Sequence, residues 1–195
     1  MAVRKSQRCS GYCKPVIGII GGIGSGKSLV AQAFGDLGCG IINSDKIAHE
    51  ALELPTIRKT LLDWWGPDIL TPESHICRKA IAARVFGYPD QVARLNGLIH
   101  PQVEQMRQQQ MKIWANQKEI LAVIWDTPLL IEVGLDRLCD KVIYVKVPKN
   151  IRLQRIQATR GWSEEELNKR EISQISLDKK EFLADYIVQN IGDVS

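Results

Sequence analysis

The segment that most restricts this chain is Gly21-Gly22-Ile23-Gly24-Ser25-Gly26-Lys27-Ser28, a complete G-x-x-x-x-G-K-[ST] string. It follows directly on the short apolar run Val16-Ile17-Gly18-Ile19-Ile20. Behind it, Leu29, Val30, Ala33, Phe34 and Leu37 recur at helical spacing, with Gly38 as a stop. A strand, a glycine loop and a helix in this order turn successive backbone N–H groups onto a polyphosphate, and the helix N-terminus adds its positive end. In such a loop the lysine, here Lys27, reaches the β- and γ-phosphates, and the hydroxyl, here Ser28, meets Mg²⁺.

The remaining pattern alternates strands with helices, which predicts a parallel sheet in a layered α/β domain. Gly40–Asn43 reads as a second strand ending at Ser44-Asp45. Ile120–Trp125 reads as a third, nearly all apolar as in a sheet covered on both faces, and ends at Asp126. Lys141–Val147 is a fourth, stopped by Pro148, and Asp185–Val188 a fifth. Between the second and third strands, 46–117 is helical throughout. Pro72–Phe86 is expected as one helix, Val92, Leu95 and Leu98 mark a short one, and Pro101 opens a longer one. A stretch of this length exceeds a simple crossover and reads as an inserted helical subdomain. Ser163 and Glu166 have the spacing of a capping box.

Composition narrows the class of partner. A net charge of +4 over 195 residues is mild and does not call for nucleic acid. No apolar run approaches the length of a membrane span. Residues 1–14 are polar and basic, without the apolar core of a secretory signal. They read as a disordered tail, with an organelle-targeting segment as the alternative. Five scattered cysteines suit reduced thiols and no metal cluster. The expectation is a cytoplasmic protein without nucleic-acid or membrane partners, monomeric or weakly homo-oligomeric.

Phosphoryl transfer needs a phosphate cradle, a metal, cations on the developing charge and a group that orients the nucleophile. Asp45 lies at the carboxyl end of the second strand, where it suits either a general base or the cap of the next helix. Asp126 holds the corresponding place on the third strand, for Mg²⁺ directly or through water, or as a loop-starting residue. Arg152, Arg155 and Arg160 lie on and after one basic helix, as a mobile cationic segment or a solvated face. Trp64-Trp65 fits core packing or a pocket wall. A guanine-reading Asn-Lys-x-Asp is missing, since Asn168-Lys169-Arg170-Glu171 ends in Glu. The Ser-Gly-Gly signature of transporter ATPases is absent.

From Val16 to Gly192 the chain resembles the dephospho-coenzyme A kinases. The resemblance rests on the phosphate loop, Asn43-Ser44-Asp45-Lys46-Ile47-Ala48, Phe86, and Leu98-Ile99-His100-Pro101. It continues through Asp126-Thr127-Pro128-Leu129-Leu130-Ile131-Glu132, Arg155, Arg160-Gly161, Arg170, Gln174 and Ala184–Gly192. It implies a three-layer P-loop kinase fold over 15–195 with a five-stranded parallel sheet, a helical insert at 46–117 that binds the acceptor, and an Arg-bearing lid at about 149–175. The substrates implied are ATP and dephospho-CoA, with Mg²⁺. Asp45 becomes the base, with Lys27, Arg155 and Arg160 on the transferring phosphate. Gly22, Ile23, Gly24, Ser25, Gly26, Lys27, Ser28 and Leu29 would hold the nucleotide, with Asn190 beside the adenine. Ser28 and Asp126 would serve the metal, and Arg78 and His100 the acceptor. Asn43 stands where the family has Asp, and Ser74 where it often has Gly.

Overall fold

The computed structural model describes residues 13–192, so most of the basic tail, residues 1–12, lies outside the described residues. Five strands form one sheet: β1 (Val16–Gly21), β2 (Gly40–Asn43), β3 (Val123–Asp126), β4 (Lys141–Lys146) and β5 (Tyr186–Gln189). Their order is β2-β3-β1-β4-β5, and every pairing is parallel. β3 is buried along its whole length and β4 at all but its two ends, as expected of strands covered on both faces. The helices are α1 (Lys27–Asp36), α2 (Ser44–Leu52), α3 (Pro55–Trp65), α4 (Arg78–Val85), α5 (Pro89–Ala115), α6 (Lys149–Arg160), α7 (Glu164–Glu171) and α8 (Leu177–Leu183). None is long and apolar enough to cross a membrane among the described residues.

The chain divides into two compact units. One joins residues up to Asn43 with those from Met111 onward, and the other is Ser44–Gln110. In the sheet unit, Ile19, Ala31, Ile124, Val145 and Val147 form a core cluster against which Val30, Phe34 and Ile151 pack. α1 packs on β1, β2 and β3, and α8 on β1 and β4. Parallel pairing brings the carboxyl ends of β1, β2 and β3 to one edge, with Ile19 opposite Asp126 and Asn43 opposite Asp126.

The Ser44–Gln110 unit has its own core of Leu52, Ile57, Leu61, Ile69, Ile76 and Ile81. Trp64 and Trp65 pack against it edge to face, 5.6 Å apart, and Arg94 lies over Trp64 at 3.7 Å. Of the two readings for this pair, packing is the one observed.

Three sequence expectations are corrected. Pro72–Phe86 is helical only from Arg78, because 70–77 folds into a tight turn. There Leu70 bridges Ile76, the Thr71 N–H donates to the His75 carbonyl at 2.7 Å, and Ser74 takes φ 65°. The two helices expected on either side of Pro101 are one, with Pro101 inside α5. Proline removes the hydrogen bond to the residue four back. That residue is Gly97, around which no other group crowds. Finally, β3 starts at Val123 rather than Ile120 and includes Asp126. Ile120 and Leu121 belong to the connection, where the Leu121 N–H donates to the Gly38 carbonyl and Leu121 is exposed.

Candidate active site

The site begins where β1 runs into the loop Gly21–Gly26 and α1. Gly24 and Gly26 hold φ of 79° and 78°, in the left-handed region that favours glycine. A Cβ on Gly24 would stand 2.7 Å from Ile156 Cδ1, and one on Gly26 2.4 Å from Asn190 Nδ2. The loop is therefore walled by α6 and by the residue after β5, and only bare backbone fits. Gly26 caps α1 without any side-chain cap, leaving that helix end open to an anion. Ser25 is fully buried, and its hydroxyl has no hydrogen-bond partner among the described residues. An orphaned donor inside a glycine cradle suits a ligand rich in acceptor oxygens.

Lys27 starts α1 and folds back on the loop. Its Nζ donates to the carbonyls of Gly22 and Gly21 at 3.3 and 3.4 Å. Burial and then the charge of Lys180 hold its ammonium down to about 8, against the opposite pull of Asp126. The like charges of Arg160 and Arg152 push the same way, more weakly. The Ile23 carbonyl accepts from Arg152 Nη1 on α6. Ser28 and Leu29 follow Lys27 in the first turn of α1, both exposed.

Asp126 is 5% exposed at the end of β3. Its Oδ2 accepts from the Asn43 amide at 3.0 Å, across the registered β2–β3 pair. With Asn43 as amide rather than acid, the Asp126 carboxylate meets a hydrogen-bond donor across the strand pair. The Asp126 carboxylate and Ser28 hydroxyl are hard oxygen donors of the kind Mg²⁺ takes.

Arg155 donates to the Gly192 carbonyl at 3.2 Å and lies 3.9 Å from the place of a Gly26 Cβ. Arg160 is exposed and ends α6, which Gly161 stops at φ 66°. Its guanidinium and that of Arg170 lie over Trp162 at 4.9 and 3.8 Å. Asn190 donates its side-chain amide to the Ser25 carbonyl at 2.9 Å. In the other unit, Asp45 is the second residue of α2, immediately after the Asn43–Ser44 junction. Arg78 starts α4, and His100 lies within α5. All three are exposed.

The structure adds Lys180, which spacing alone did not single out for this site, and corrects the solvated-face reading of Arg152, which is buried. Lys180, in a run of charged residues on α8, is 1% exposed, and its Nζ donates to Glu132 and Gln174, each at 2.9 Å. Glu132 also accepts from the Ile175 N–H at 3.1 Å. A lysine among charged neighbours reads as surface, so no sequence signal separates Lys180 from Lys179.

A parallel sheet whose first strand feeds a glycine loop, with a lysine and buried cations around that loop, is the architecture of the P-loop kinases. The family model for dephospho-CoA kinases matches residues 15–195. A dephospho-CoA kinase of Thermobifida fusca is 37% identical over 178 residues, covering 90% of this chain and 87% of the relative. One of Bacillus licheniformis is 37% identical over 183 residues, covering 92% and 89%. Among solved structures, the dephospho-CoA kinase of Campylobacter jejuni superposes with a TM-score of 0.63 at 28% identity, covering 92% of this chain and 90% of that one. A Thermus thermophilus protein superposes with a TM-score of 0.78 at 29% identity over the same shares. The chain belongs to the dephospho-CoA kinase family.

Proposed function

We propose that this protein transfers the γ-phosphoryl group of ATP to the ribose 3′-hydroxyl of dephospho-CoA, giving CoA and ADP, the last step of coenzyme A synthesis. The observation that carries this reading is the family match over 15–195 together with the glycine cradle that encloses the unpartnered Ser25 hydroxyl.

Each residue then has a task. The backbone of Gly22–Gly26, with Leu29 in the first turn of α1, receives the triphosphate. Lys27 exchanges its two loop carbonyls for β- and γ-oxygens, and Asn190 braces the loop at Ser25 on the adenine side. Arg155 and Arg160, in the lid region 149–175, meet the charge that develops on the transferring group. Asp45 accepts the proton of the attacking hydroxyl as the new O–P bond forms. The insert, 46–117, receives dephospho-CoA, with Arg78 and His100 as its contacts. Ser28 and Asp126 would hold Mg²⁺, directly or through water, and Asn43 keeps the Asp126 carboxylate turned for that purpose. A metal ion held by these two residues would neutralise charge on the triphosphate oxygens. The protein works in the cytoplasm as a monomer or weak homo-oligomer, apart from nucleic acid and membrane.

A coupled ADP-release assay with ATP and Mg²⁺ tests the reading. ADP formation with dephospho-CoA, and not with AMP, CMP, shikimate, gluconate or no acceptor, is the expected result, with a product phosphorylated at the 3′ position. ADP release with a different acceptor alone would move the activity to a sister kinase.

A further inference from the structure

Arg152, like Asp126 and Lys180, is a charged residue buried in the sheet unit. It is 2% exposed, and its guanidinium is divided among three partners. Nη1 donates to the Ile23 carbonyl at 3.1 Å and also to Glu171 Oε1 at the end of α7. Nε donates to the Val147 carbonyl at 3.3 Å. A Cβ on Gly22 would stand 2.9 Å from Nη1, so the guanidinium itself forms the wall of the loop at Gly22 and Ile23.

We propose that Arg152 is a positioning residue for the phosphate loop, and that Glu171 offsets its positive charge until a polyphosphate fills the loop. This rests on the loop being the ATP site. The fork to Ile23 and Val147 fixes the loop in its cradle shape before any ligand arrives. The Glu171 carboxylate cancels much of the guanidinium's attraction for anions in the empty protein. A triphosphate then competes with Glu171 for one buried cation. Glu171 thereby weakens nucleotide binding and assists release of ADP, and it joins the state of the loop to the end of α7.

The two partners of a merely structural ion pair lose function in the same direction when either is replaced. Here the signs differ. Calorimetry on the full chain with ATP, ADP and adenosine compares wild type, Arg152→Met, Arg152→Lys and Glu171→Gln. Arg152→Met weakens ATP and ADP about tenfold, whereas Glu171→Gln tightens both about fivefold, because one charge near the phosphates is removed in the first case and released in the second. Arg152→Lys, which keeps the charge without the fork, falls between wild type and Arg152→Met. It also serves as the reading if the Met variant does not fold. Adenosine affinity stays unchanged in all.

Equal or weaker ATP binding in Glu171→Gln overturns the proposal, and so does failure of that variant to fold, since the pair is then a fastener alone. Inorganic tripolyphosphate is run in parallel. If wild type binds it and not ATP, the kinase reading fails while the variants still test Arg152. If wild type binds neither, both fail.

Discussion

Asn190 donates its side-chain amide to the Ser25 carbonyl at 2.9 Å while its backbone N–H donates to the Lys146 carbonyl, tying β5 and β4 to the phosphate loop. The same amide lies against the bare Cα of Gly26. Asn190→Ala frees the Ser25 carbonyl and opens space beside Gly26. The expected result is a rise in KM for ATP of about tenfold, the equivalent of one hydrogen bond, with a smaller change in kcat. An unchanged KM in steady-state kinetics would remove Asn190 from loop support.

Lys27→Met removes the ammonium proposed to follow the β- and γ-phosphates. kcat/KM should fall by about 10² to 10⁴, the range of a lost electrostatic stabiliser. Thermal unfolding of the ligand-free variant should move upward, because the wild-type ammonium is held down to about 8 mainly by burial.

Asp45→Asn keeps the shape of the side chain and removes its basicity. Turnover should drop about 10² to 10³, with ATP affinity near wild type by calorimetry. Wild-type turnover would take Asp45 out of the mechanism.

Glu132 predicts an acid limb to stability. Burial raises its carboxyl, but hydrogen bonds from Lys180 and the Ile175 N–H and the Lys180 charge outweigh this and leave it below the ordinary 4.5. A depressed carboxyl stabilises the fold fully above its unfolded value and loses that contribution as pH falls through the folded one. Denaturant midpoints between pH 6 and pH 3 should therefore fall more steeply in wild type than in Glu132→Gln. Parallel slopes would show that the Lys180–Glu132 contact does not contribute.

Ser74 is the described non-glycine residue with positive φ, at 65°. A side chain there costs about 1 kcal/mol, part of which glycine returns through a looser unfolded chain. Ser74→Gly should raise stability by about 0.5 to 1 kcal/mol in chemical denaturation, without change in ATP binding.

Much of the sheet unit was legible because its signals are local. β1, β2, β4 and α1 stand where apolar runs and stop signals put them, and the Ser163–Glu166 capping box is present on both sides of its bond. One error lies where a distant contact outweighed local pattern, and another lies within a single helix. Ile120 and Leu121 look like strand, yet strand pairing starts only at Val123, in register with Val16 and Gly40. Pro101 looks like a helix start, yet α5 continues through it with Gly97 one turn back.

The sequence by itself determined the phosphate loop, the parallel α/β order and the family, because the loop depends on residue types at fixed short spacings, the order on alternating strand and helix patterns, and the family on short motifs in order from Val16 to Gly192. Only the tertiary structure decided which charges are enclosed. Arg152 and Arg155 lie three apart on one helix, but the first is buried against Ile23 and Glu171 and the second reaches Gly192. Lys179 and Lys180 are neighbours, and only Lys180 meets Glu132 and Gln174. Whether a cation is solvated or held inside depends on what the rest of the chain brings to it, and that partner lies up to 129 residues away in sequence, as Ile23 does from Arg152.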